Sequence, residues 1–192
     1  YTMDNAAWFG VLAFSDSEIK NCTEYRRVLN DQNYTPTEKE YNVANVNFSN
    51  SKAIYTEALN KGVFIGNNPN NLPMYRITGE DEENAFKNTL NGIFEFAFSI
   101  GDTKSLNAIL EQYDASFYKN SSLIMVYVPS ADSSIRYGIK NIAATDKSFT
   151  VYVKPTELPE TGADTPTGWI IAIGINNTLL ENCNVFNAIM VE

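Results

Sequence analysis

"SLIMVYV", residues 122–128, is apolar at every position after its serine. Side chains on a strand point alternately to opposite faces, so a stretch apolar at odd and even positions is covered on both sides. Residues 122–128 therefore read as a central strand. Downstream, "RYGIKNIAATDKSFTVYV" (136–153) reads as a hairpin turning at Thr145-Asp146-Lys147. The run "WIIAIGI" (169–175) reads as a strand that closes the sheet. Upstream, residues 80–98 place Phe86, Leu90, Ile93, Phe94 and Ala97 on one helical face. Residues 104–113 read as a second helix, N-capped by Thr103 and burying Leu106, Ile109, Leu110 and Tyr113. Residues 63–65 read as a short strand before the turn-rich "GNNPNNLP". Helices followed by a strand meander make the class α+β: two helices packed on an antiparallel sheet of four or more strands.

The two cysteines point to an internal repeat. "WFGVLAFSDSEIKNCTEYRRVL" around Cys22 aligns without gaps on "WIIAIGINNTLLENCNVFNAIM" around Cys183. Trp8 falls on Trp169, Asn21 on Asn182 and Cys22 on Cys183, with a shared apolar register. The expected organisation is then residues 1–29 as the tail of an upstream repeat copy, 30–62 as a connector, and 63–192 as one complete α+β module. The first segment supplies an N-terminal strand whose Trp8, Phe9, Val11 and Phe14 need a partner surface.

Composition narrows the function classes. Fourteen basic against twenty-three acidic residues give a net charge of −9, which opposes nucleic acid and anionic lipid. No apolar stretch reaches the length of a transmembrane helix. The Asn-, Ser-, Thr- and Tyr-rich composition points to an extracellular or cell-envelope location, with a signal or lipid anchor already removed.

"YDASFYKNSSLIMVYVPSADSSIRYGIKNIAATDKSFTVYVKP" followed by "GWIIAIGI" resembles a family of uncharacterised secreted or lipid-anchored Firmicutes proteins. The shared features are a Tyr-Asp helix end, an apolar strand, a Ser-Ile-Arg turn, a hairpin and a final Trp strand. More distantly, the stretch is similar to the C-terminal domain of the protease-complex-associated protein PrcB. The likeness runs from about Leu72 to Phe186. It implies an α+β fold, an envelope location and a non-enzymatic role in protein–protein contact, of which protease association is one form.

Individual motifs weigh mostly on the side of structure. Leu158-Pro159-Glu160-Thr161-Gly162 spells a sortase sorting signal, but the apolar run after it is short and the tail beyond holds two Glu and no Lys or Arg. Cleavage after Thr161 would also remove the Trp169 strand, so the pentapeptide reads as a loop between strands. Cys22 and Cys183 are open to two readings, as small buried hydrophobes or as a disulfide. A catalytic thiol lacks a base, because the chain has no histidine. Ser49-x-x-Lys52 lacks the companion motifs of Ser–Lys enzymes. Glu80 to Glu83 suit the first turn of a helix better than a metal site. No cofactor or metal is expected.

The residual candidates are surface rings: Tyr152, Tyr127 and one of Arg136 or Tyr137, on a sheet face able to stack sugars or grip a protein. The opposing reading buries those rings under a helix. Expected function is therefore a non-enzymatic protein-interaction module, with glycan binding as the alternative and a carboxylate-dependent hydrolase as the third.

Overall fold

The computed structural model describes residues 32–34, 41–46, 71–145, 147–159, 162 and 165–192. Among them, eight strands form two four-stranded sheets. The strands are β1 (Gln32–Tyr34), β2 (Tyr41–Val46), β3 (Met74–Ile77), β4 (Ser121–Ser130), β5 (Arg136–Ala144), β6 (Ser148–Glu157), β7 (Thr167–Asn176) and β8 (Val185–Met190). The inner sheet has the order β2–β7–β4–β3, antiparallel throughout. The outer sheet has the order β1–β5–β6–β8, antiparallel except for the parallel pair β6–β8.

The mixed α and β class stands, but its arrangement differs from a single sheet carrying two helices. Residues 122–128 are apolar on both faces and so require two covers. Leu123, Met125 and Tyr127 of β4, with Ile170 and Ala172 of β7, pack under the helices. Ile124, Val126 and Val128, with Trp169, Ile171 and Ile173, pack against Ile139, Ile142, Phe149, Val151 and Val153 of the outer sheet. The hairpin β5–β6 thus stacks on the central strands instead of extending them, because stacking buries its apolar face. The Trp169 strand does not close the sheet either: β7 lies between β2 and β4, inside it.

The helices are shorter than the sequence pattern suggests. α1 (Glu80–Leu90) stops where Gly92 takes a positive φ of 79°, a left-handed conformation that glycine adopts without steric cost. Ile93 and Phe94 still reach the core beyond that turn, whereas Ala97 is exposed. α2 (Leu106–Leu110) is capped by Ser105, whose hydroxyl accepts from the Ala108 amide, and not by Thr103. Thr103 is occupied in a local turn with Ile100. α3 (Ala115–Tyr118) comes next, capped by Asp114. The acidic first turn of α1 does more than favour the helix dipole. Glu82 accepts from the Thr78 amide and hydroxyl, and Glu83 is buried, accepting from Tyr118 Oη at 2.8 Å and from Lys87 at 2.6 Å.

Residues 30–62, expected as a connector, carry β1 into one sheet and β2 into the other. The expected repeat tail at 1–29, with its N-terminal strand and Cys22, and the expected strand at 63–65 lie outside the described residues.

The two sheets meet along one flank. The Leu72 amide, just before β3, donates to the Ala188 carbonyl of β8 at 2.7 Å. Beside it, Asn71 Nδ2 donates to Asn187 Oδ1, and the Arg76 guanidinium lies over the Phe186 ring. The opposite flank, where β2 faces β5 and β6, opens into a cleft. No described helix is long and apolar enough to cross a membrane.

Candidate functional site

The cleft has a volume of about 420 Å³ and adjoins a second depression of about 280 Å³. Three segments build it. β2 and β7 supply Val43 and Trp169 from the inner sheet, β5 and β6 supply Arg136, Tyr137 and Glu157 from the outer sheet, and the loop 100–103 covers the gap.

Tyr137 points into this flank because of a bulge. The β5–β6 register pairs Asn141 with Tyr152 but Ile139 with Val153, leaving Lys140 as an extra, exposed residue. That insertion reverses the alternation, so Ile139 and Tyr137 face the inner sheet. The Tyr137 hydroxyl is held 3.1 Å from Ser130 Oγ. Tyr41 reaches over the same place. A Cβ on Gly138 would lie 2.7 Å from the Tyr41 hydroxyl, so the close approach depends on glycine.

Arg136 is fixed from two directions. Its guanidinium sits 4.8 Å from the centre of the Trp169 ring, and its Nη1 donates to the Ser133 carbonyl at 2.8 Å and the Ile135 carbonyl at 3.4 Å. Among the described residues, Nε and Nη2 have no acceptor and no carboxylate forms an ion pair with Arg136. Its cross-strand neighbour is Glu157, which is exposed on the same rim. Asp102, also exposed, adds a second negative charge, and Lys104 borders the adjoining depression. Under Arg136, Trp169 is fully buried, and its Nε1 has no acceptor among the described residues. Beside it Asn45 donates to Thr167 Oγ1 at 2.9 Å and to the Gly168 carbonyl at 3.2 Å.

Of the four ring and guanidinium candidates in the sequence, the structure unites two. Arg136 and Tyr137 share the cleft. Tyr127 is buried under the helices, stacked on Phe94 with centroids 6.2 Å apart, so it contributes no surface. Tyr152 alternates with the inward Val151 and Val153, and lies half-buried on the outer face opposite Asn141. Cys183 is half-buried, with Sγ 3.4 Å from the Leu179 carbonyl and 3.6 Å from that of Thr145. Its pairing with Cys22 falls outside the described residues. Leu158 is 73% exposed in the segment 158–166, which joins β6 of the outer sheet to β7 of the inner one. Trp169, Glu157 and Asp102 were not legible as site residues. Trp169 reads as core from its strand pattern, and the other two as ordinary surface acids.

Comparisons with protein-family models, with curated proteins and with solved structures find no match.

Proposed function

We propose that this protein is a non-enzymatic interaction module of the extracellular space or cell envelope, and that it binds another protein through the flank cleft. One observation carries the reading. Arg136 is immobilised on Trp169 and yet has no carboxylate partner among the described residues, on the rim of an open cleft beside Tyr137. Arginine and aromatic residues held rigid before binding are typical anchors of protein interfaces, since little side-chain entropy remains to be lost. The sequence likeness to secreted and lipid-anchored Firmicutes proteins, and more distantly to PrcB, supports the compartment and makes a protease complex one candidate partner. A glycan-binding role would rest instead on Tyr152, and carbohydrate binding lost on Tyr152→Ala would favour it.

The test is a photo-crosslinking amino acid placed at Tyr137 or at Tyr152 in the native host. Expected is an adduct with one defined polypeptide from position 137 and not from 152. Equal labelling from both positions, or none from 137, overturns the assignment of the surface.

A further inference from the structure

We propose that the cleft recognises a carboxylate on the partner polypeptide, with a basic group of the same segment lying beside it. This rests on the reading of the cleft as a protein-binding surface and adds the chemistry of the ligand. Three features converge on it. First, Arg136 spends only Nη1 on backbone carbonyls, leaving Nε and Nη2, the pair of parallel donors that matches the two oxygens of a carboxylate. Second, Trp169 lines the same cleft beneath Arg136, and its buried indole N–H has no acceptor among the described residues, so the indole signal reports on whatever docks on the guanidinium above it. Third, Glu157 stands directly across from Arg136 without pairing to it. Among the described residues, one cation without a carboxylate partner and, with Asp102, two anions without a basic partner therefore stand around one opening.

The mixture of signs disfavours a multiply charged anion. A phosphate dianion on Arg136 would face Glu157 and Asp102 in a chain of net charge −9. A single carboxylate accompanied by an ammonium or guanidinium group satisfies both sides of the rim. In a polypeptide, that is an acidic residue next to a basic one.

The experiment titrates the full ¹⁵N-labelled chain with acetyl-Lys-Glu-amide and acetyl-Lys-Gln-amide, with the Trp169 indole N–H signal read by NMR. The Glu peptide is expected to shift that signal saturably, and the isosteric Gln peptide to bind about tenfold more weakly, as befits a charge-assisted pair. In Arg136→Gln the difference between the two peptides is expected to vanish. In Glu157→Gln the Glu peptide is expected to bind more weakly. Equal binding of the two peptides, no shift with either, or the same shift with sodium glucuronate at matched concentration overturns the proposal. The peptide comparison uses the unaltered protein, so misfolding of a variant does not affect it. Crosslinking from position 137 that persists while the peptides fail removes the carboxylate assignment alone. Peptide binding without such a crosslink removes the assignment of a cellular protein partner.

Discussion

Asn45 and Trp169 stand directly opposite each other across β2 and β7, and each keeps one buried polar atom without a partner among the described residues, Oδ1 of the first and Nε1 of the second. A donor and an acceptor on cross-strand neighbours are thus both left unused among the described residues, on the flank opposite the contacts of Leu72 and Ala188. Such groups ordinarily cost about 1–3 kcal/mol each when buried unmade.

The indole N–H forms no bond with the described residues, so its removal should cost only volume. Trp169→Phe is expected to destabilise by about 1–2 kcal/mol, against about 3–5 kcal/mol for Trp169→Ala. Urea unfolding midpoints of the two variants check this. A Phe variant as unstable as the Ala variant would mean that the N–H is hydrogen-bonded in solution.

Tyr118 ties α3 to α1 through the buried Glu83 carboxylate. Tyr118→Phe leaves that carboxylate with Lys87 and is expected to destabilise by about 1.5–3 kcal/mol, the range for hydrogen bonds to charged groups. Loss of thermal stability in Tyr118→Phe comparable with that in Glu83→Gln would place both residues in one interaction.

The same pair sets an alkaline limit. Burial, and then the Glu83 carboxylate, hold the Tyr118 hydroxyl far above its ordinary 10.0; burial also raises Tyr113. A group whose pKa is higher folded than unfolded stabilises the fold fully below the unfolded value, and that contribution is lost as pH rises further. Stability is therefore expected to fall above about pH 10, where unfolded tyrosines ionise. The fall should be shallower in Tyr118→Phe, as measured by circular dichroism across that range.

Gly138 admits the Tyr41 hydroxyl and the Thr156 methyl, which a Cβ would meet at 2.7 and 2.8 Å. Gly138→Ala is expected to destabilise by about 1–3 kcal/mol through overpacking. Tyr41→Phe in the same chain should recover part of the loss. A double-mutant cycle reads that coupling, and strict additivity would place the two groups apart.

The segment 158–166 links the sheets with Leu158 exposed, yet the strand beyond it is well fastened: β7 has ten register pairs with β4 and six with β2. A protease site introduced between Pro159 and Gly162 is expected to give two fragments that co-elute in native size-exclusion chromatography and separate only in denaturant. Fragments that separate without denaturant would show that β7 depends on its covalent link.

Much of the outline was legible because it rests on periodicity. The double-faced apolarity of 122–128 located a central strand, and the turn at 145–147 located the hairpin. Counting back from that turn pairs Arg136 with Glu157 correctly, because two bulges cancel: Lys140 is extra in β5 and Thr156 in β6. Between the bulges, however, alternation is reversed, and that is what turns Tyr137 toward the cleft. A second sheet was not legible either. Apolarity on both faces of a strand states that something covers each face and does not distinguish a helix from another sheet. Tyr127 and Trp169 illustrate the same limit: each is an aromatic on a central strand, one covered by helices and the other by the hairpin.

The hairpin β5–β6 is enclosed, in sequence, between the two strands that form the heart of the inner sheet. Even the nearest of the β4–β7 pairs, Ser130 with Thr167, closes only after the whole hairpin has been spanned. Local hairpins form in microseconds, whereas contacts across long loops wait on chain-closure entropy. A hairpin that closes first therefore leaves β4 without β7 beside it for an interval. In that interval residues 122–128, all buried in the finished molecule, are a bare β-prone segment without charge or proline. The stretch that defines the native architecture is also the one through which misassembly between chains would start, and its risk is set by how quickly β7 docks.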